Sequence, residues 1–417
     1  MPHQLRFDFD RPCSPPFARV RVAPREDALL PEPLRDRVAV FAVHDGQAIP
    51  ERFRVRADGS PIVDPAELER QFVKMRDWGA NVVASELTAA LGAPCYLTCR
   101  IARVLLDFNR FPGSTPADSP DPLDALAIGP LFARTLDHHQ KTDLLESFYD
   151  PISRTIESFV KDSLIGLSIH TYDEAHQSQT KRAHVSIISL PLSYQRDAQL
   201  PYGVFDPIYP DHLAESSCSR ILRDRMSLNL ERSGFRVTHN HPYALPDGSV
   251  EVRAQVWHFF RFLRARFEAA FPGTVDDPAY ERVFTMLMDT NLRLAEAEEL
   301  RSFLHRFRRV SEPRRPAFLA SLAAYEHITS FLTNSTVVMD YRRSPERPSS
   351  VGIEVRKDLV CSFDPETGLP LPTTPEQRAV AREIAQAIAG SIRTYFATDR
   401  ELYETCAPPL ALLRDGS

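Results

Sequence analysis

Short apolar runs that stop abruptly at polar clusters are the feature that most constrains this chain. Val38-Ala-Val-Phe-Ala-Val43 halts at His44-Asp45-Gly46, and Leu164-Ile-Gly-Leu-Ser-Ile169 halts at His170-Thr171. Val104-Leu-Leu106 and Phe108 carry one acid, Asp107, before Asn109-Arg110 and the Pro112-Gly113 turn. Val351-Gly-Ile-Glu354-Val-Arg356 alternates with period two, placing Glu354 and Arg356 on one face and Ile353 and Val355 on the other. Runs of this length and composition read as strands buried in a parallel sheet. Ala93–Arg100, Ala183–Leu190 and Phe235–Thr238 read as further strands. Between them lie helical periods: Asp64 to about Leu91 with a break at Gly79, about 141–161 with Pro151 starting a new helix, a helix reaching Arg232, and one over Pro375–Phe396. Residues 114–124 and 191–215 read as loop.

The alternation predicts an α/β fold with a central mixed, mainly parallel sheet flanked by helices. At 417 residues the chain accommodates one large domain with an insertion, or two domains. We divide it into a Pro/Arg-rich arm (1–36), a first part of the α/β domain (37–252), a helical insertion (253–340), and a last strand with the C-terminal helix (341–417). The three helices of the insertion, one of them with Trp257, Phe259, Phe260 and Phe262, carry more apolar surface than one helix face buries alone. They are expected to cover the pocket or to build a partner surface, with a homo-oligomer as one outcome.

Several function classes drop out. The formal net charge is −6 and no basic block stands alone, which argues against nucleic acid as partner. With 15 Gly and no Gly-rich phosphate loop, no nucleotide fingerprint appears. The six Cys repeat no metal or disulfide spacing; Cys95 and Cys99 have no second pair, so all six read as free thiols. No apolar stretch reaches membrane-spanning length and the N-terminus lacks a signal-peptide core, so a cytoplasmic protein is expected.

What remains is a constellation at strand ends. In a mainly parallel sheet His44, Asn109 with Arg110, His170 and Glu354 converge along one edge, although a lone His past a strand reads first as an ordinary loop residue. On the residues alone, Asp77 is either a helix cap or a metal ligand. Two His, an acid, a free Glu and Arg groups are the equipment of a zinc hydrolase with an open coordination position. An Arg beside an amide suits a carboxylate, because the guanidinium fork pairs both oxygens.

The ordered blocks Val-Leu-Leu-Asp107-Phe-Asn109-Arg110, the strand-end His44, Ser-Ile-His170-Thr, Asn240-His-Pro242-Tyr243 and Gly352-Ile-Glu354-Val resemble the N-formylglutamate amidohydrolases. That family is similar to the zinc carboxypeptidases, which share Asp-x-Asn-Arg. The resemblance covers roughly 36–245 and 348–396. It implies a zinc-carboxypeptidase-like α/β fold, a catalytic Zn2+ and cleavage of an amide beside a carboxylate-bearing residue. It implies His44 and His170 as zinc ligands, with Asp77 as the acidic third ligand and Glu69 its rival. Glu354 matches the general base and Arg103 the residue that polarises the scissile carbonyl. Asn109 and Arg110 match the carboxylate clamp, and Tyr243 and Arg356 are further substrate-binding candidates. The chain departs from the family's pattern at Val43, where Pro is usual, at Asp150 and Ser153, where His tends to stand, and in its helical insertion. The expected substrate is an N-acyl amino acid or a peptide end, and the insertion favours something larger than formylglutamate, a peptide or a modified protein. A carboxypeptidase-like peptide-processing enzyme and a catalytically silent binding relative are the competing expectations.

Overall fold

The computed structural model describes residues 6–113, 126–175, 181–201, 204–305, 312–345 and 347–399. Seven strands form one mixed sheet: β1 (Phe17–Arg21), β2 (Val38–Ala42), β3 (Cys95–Cys99), β4 (Ile165–Tyr172), β5 (Val185–Ile188), β6 (Val237–His239) and β7 (Ser349–Arg356). Their order is β1-β3-β2-β4-β7-β5-β6. The central four, β3, β2, β4 and β7, run parallel to one another. β1 pairs antiparallel with β3, β5 pairs antiparallel with β7, and β6 runs parallel to β5. The mixed, mainly parallel α/β architecture expected from the alternation is the one observed.

Every residue of β2 and β4 is buried, because both strands lie inside the sheet with helices on either face. Val40, Ile165, Leu167, Ile169, Val351, Ile353 and Val355 pack beneath Ala80–Leu91, Arg220–Arg232 and Pro375–Thr394. Alternate residues face the other way. Phe41 and Val43 pack there with Leu97, residues of the 101–108 segment and the helix Asp150–Lys161. The polar members of that second face, Ser168, His170 and Glu354, are the ones that reach the site. β7 therefore alternates as its period of two predicts.

Three segments differ from the sequence reading. The run 103–113 is not a strand. The Leu105 and Leu106 N–H groups both donate to Ala102 O, and the segment turns back through isolated bridges of Leu106 with Ile128 and of Phe111 with Leu126. Its apolar residues are buried by the surrounding core, and burial alone does not specify extended backbone. The N-terminal residues are more than a surface arm: β1 closes the sheet edge, and Phe7 and Phe9 are buried against Phe72 and Trp78. Pro and Arg are tolerated on an edge strand, which is why composition misleads there. Within 191–215 a short helix, Leu192–Asp197, interrupts the loop; residues 114–124 lie outside the described residues.

The helix Val250–Ala270 begins before residue 253, and Pro278–Met288, Ala295–Leu304, Arg315–Asn334 and Val337–Arg343 follow it. Phe259, Phe260, Phe267 and Phe284 form a core of their own with Leu213, Ile328 and Tyr341. Those aromatics are thus buried within the block. Among the described residues no helix is long and apolar enough to cross a membrane.

Candidate active site

The site lies beyond the C-terminal ends of the parallel strands, where an open α/β sheet places its ligands. His44 stands two residues past β2. His170 and Glu354 are direct register partners on β4 and β7, so their side chains leave the same face side by side. Asp77 sits between two helices, Pro65–Met75 and Ala80–Leu91. Gly79 makes this junction possible: its φ is +87°, and it occupies the cap position of the second helix. That frees the Asp77 carboxylate from capping. The Asp77 N–H donates to His44 O (3.1 Å), and Thr171 Oγ1 donates to Trp78 O (3.0 Å), so the junction is tied to both β2 and β4.

Three ligand-type atoms converge. His44 Nδ1 and His170 Nδ1 are 3.2 Å apart, and Asp77 Oδ2 lies 3.5 Å from the first and 2.8 Å from the second. Both rings are held from behind. His44 Nε2 is 2.8 Å from Asp107 Oδ1, and His170 Nε2 is 2.7 Å from Ser168 Oγ. A ring whose Nε2–H is donated outward presents a bare Nδ1 inward, the usual supporting arrangement of a metal-binding histidine. Two inward nitrogens around one carboxylate oxygen fit a metal ion, and His44, Asp77 and His170 form such a buried group. Glu69 is not part of it; its carboxylate pairs with Arg6, with Oε2 3.0 Å from Arg6 Nε.

Asp107 organises the remaining wall. Besides His44 it accepts from the Asn109 N–H (2.9 Å) and Arg103 Nε (3.2 Å). Arg103 also reaches Asp77 Oδ1 through NH1 (3.1 Å). Arg110 Nε stands farther out, 3.5 Å from Asp107, with a third of its side chain exposed. Gly248 is required behind this wall: a Cβ there would meet Phe111 N at 2.6 Å and Arg110 C at 2.7 Å.

The electrostatics follow from these contacts. Burial opposes charge on Asp77 and Asp107, but the neighbouring Arg103 and His groups prevail and hold both carboxyls far below their usual range. Burial likewise opposes protonation of His170. The hydrogen bond and charge of Asp77, with Glu354 and Glu251, outweigh it and raise its pKa to about 9. Burial pushes Glu354 up, aided by Asp77 and opposed by His170 and Arg103. Glu354 Oε2 is buried without a hydrogen-bond partner.

His44, Asp77, His170, Glu354, Arg103, Asn109, Arg110 and Tyr243 all line one cavity of about 310 Å³. Tyr243 is partly exposed and its hydroxyl accepts from Arg182 NH2 (3.0 Å). Arg356 and Glu69 are not on the lining. Arg356 is paired with Asp358 at 2.7 and 2.9 Å, behind the cavity wall. Among the described residues none of 253–340 lines it, and Glu251, just before that block, does. Sequence reasoning missed Ser168, Glu251 and Lys357. Asp107 was visible as the lone charge in an apolar run, but its support of His44 was not.

The family model for N-formylglutamate amidohydrolase matches residues 37–258, more than half of the chain. No curated protein matches it. Among solved structures, the N-formylglutamate amidohydrolase from Ralstonia eutropha JMP134 is similar at 15% identity and a TM-score of 0.47, covering 92% of this chain and 99% of that one. A gene product from Agrobacterium tumefaciens is similar at 14% identity and a TM-score of 0.40, covering 86% and 92%.

Proposed function

The chain belongs to the N-formylglutamate amidohydrolase family, and from that premise we propose a zinc-dependent amidohydrolase that cleaves an amide beside a free carboxylate. Its substrate is an N-acyl amino acid or a peptide end. The observation that carries this reading is the meeting of His44, Asp77 and His170 in one cavity with Glu354, whose Oε2 has no hydrogen-bond partner.

His44 and His170, through Nδ1, and Asp77 would hold the ion; two imidazoles and one carboxylate suit zinc. Bound there, zinc supplies Lewis acidity that polarises the amide carbonyl and brings the pKa of water toward neutrality. Asp107 and Ser168 keep both rings turned inward. Glu354 takes a proton from the attacking water and delivers it to the leaving nitrogen, a role that its raised pKa serves. Arg103 has two of its N–H groups committed to Asp77 and Asp107, and this fixes the guanidinium. Arg103 lines the cavity, and its remaining donors would serve the carbonyl oxygen as negative charge develops. Asn109 and Arg110 bind the substrate carboxylate, which sets the scissile bond against Glu354. Tyr243 supplies a further hydroxyl to the substrate.

The test is turnover by zinc-loaded protein of N-formyl, N-acetyl and C-terminal dipeptide substrates, followed by release of free amine. Amine release that needs both zinc and Glu354 is expected. No release from any carboxylate-bearing substrate would leave the silent-relative reading in its place.

A further inference from the structure

The cavity holds a fully buried acid for which the chemistry above has no use. Glu251 stands in the first turn of the helix Val250–Ala270, after the Ser249 cap, where the helix N-terminus accommodates negative charge. It is 0% exposed, it lines the same cavity as Glu354, and neither of its carboxylate oxygens has a hydrogen-bond partner. Acids are almost never fully buried unless paired, because desolvation penalises an isolated charge. Aliphatic groups flank this acid on one side, and on the other His170 is near enough to feel its charge. A Cβ built on Gly352 would lie 3.6 Å from Glu251 Oε1, 3.6 Å from Leu245 and 3.5 Å from Ile188. Ile188, Leu245 and Gly352 line the cavity as well. Glu251, Leu245 and Ile188 stand at ordinary van der Waals distance from position 352 and form a recess that has aliphatic walls and a carboxylate in them.

Aliphatic walls around a carboxylate match an aliphatic stem with a cationic tip. We propose that this recess is the side-chain pocket, and that the preferred substrate is an N-acyl-lysine, an N-acyl-arginine or a peptide ending in one of these. The proposal rests on the amidohydrolase reading and sharpens it. Arg110 and Asn109 hold the substrate carboxylate, and Glu251 pairs with the ammonium or guanidinium. A glutamate side chain would instead bring a third carboxylate beside Glu251 and Glu354.

Two measurements on zinc-loaded protein test this. In the first, L-arginine, L-lysine, L-norleucine and L-glutamate are titrated calorimetrically; in the second, the N-formyl derivatives of the same four are offered as substrates. The wild type is expected to favour a basic compound over norleucine by about tenfold or more, the low end for a charge-assisted hydrogen bond, with glutamate weakest. In Glu251→Gln the ratio of basic to norleucine should fall toward one, and Glu251→Asp should keep part of it. Glutamate or norleucine binding the wild type as well as arginine and lysine would overturn the proposal without recourse to any variant. So would binding of none of the four, or a basic preference that survives Glu251→Gln. If arginine or lysine binds with the stated ranking but no N-formyl compound is cleaved, the pocket assignment stands and the amidohydrolase reading falls.

Discussion

Replacing Arg110 by alanine distinguishes a substrate clamp from a structural ion pair. Asp107, the acid beside it, is already satisfied by His44 at 2.8 Å, the Asn109 N–H at 2.9 Å and Arg103 at 3.2 Å. Arg110 approaches it only to 3.5 Å and keeps 33% of its side chain exposed. A pair this open to solvent contributes no more than ~1 kcal/mol to stability. Melting of Arg110→Ala should therefore shift by no more than about 3 °C. The same guanidinium meeting a substrate carboxylate inside the cavity makes a charge-assisted hydrogen bond worth ~1.5–3 kcal/mol, roughly 10–150-fold in kcat/KM. The assay compares an N-formyl amino acid with its C-terminal amide on wild type and variant. Arg110→Ala should lose that factor on the acid, amidation should cost the wild type a similar factor, and the two losses should not add. Zinc content should stay normal. Equal losses on acid and amide, or a large drop in melting temperature, would refute the clamp and make Arg110 part of the scaffold.

Two further outcomes follow from the same geometry. Glu354→Gln keeps the shape of the side chain but cannot accept a proton, so it should stay folded and zinc-loaded while turnover falls by ~10²–10⁴-fold; near-normal turnover would exclude it as the base. His170 has its folded pKa raised to about 9 from an ordinary value near 6.5, so its charge stabilises the metal-free fold fully below that ordinary value. This contribution is lost as pH rises through about 9. Zinc must displace that proton, so its affinity for metal-free protein should climb as pH rises toward about 9 and level off above it. Calorimetric zinc titrations in buffers of different ionisation enthalpy would count the released proton, and a pH-independent affinity would contradict the argument.

Much of the candidate site could be read from the chain because its ligand-type residues follow apolar strands. His44 and His170 at the ends of β2 and β4, and Glu354 on the polar face of β7, needed only a period-two pattern and a parallel sheet. The 103–113 segment resisted the same logic, since four apolar residues announce burial and not dihedral angles. Asp77 was ambiguous for a different reason. A short acid after a helix suits both a cap and a ligand; the left-handed Gly79 takes the cap position itself and leaves the Asp77 carboxylate in the cavity. Glu251 gave no signal at all: an acid in the first turn of a helix looks like solvated charge until the fold encloses it. The N-terminal segment misled through composition, where Pro and Arg concealed an edge strand and two core phenylalanines.

The pairing of His170 with Glu354 across β4 and β7 also bears on how such a site can fail. Side chains on a strand alternate, so sliding β7 by one residue would put Ile353 or Val355 in the cavity and drive the acid into the aliphatic layer beneath. No intermediate spacing between His170 and Glu354 exists along this ladder. Partial activity is therefore unavailable to a slipped sheet, and each molecule is either assembled or dead. A register slip in β7 should appear in a population as fewer working copies at undiminished speed.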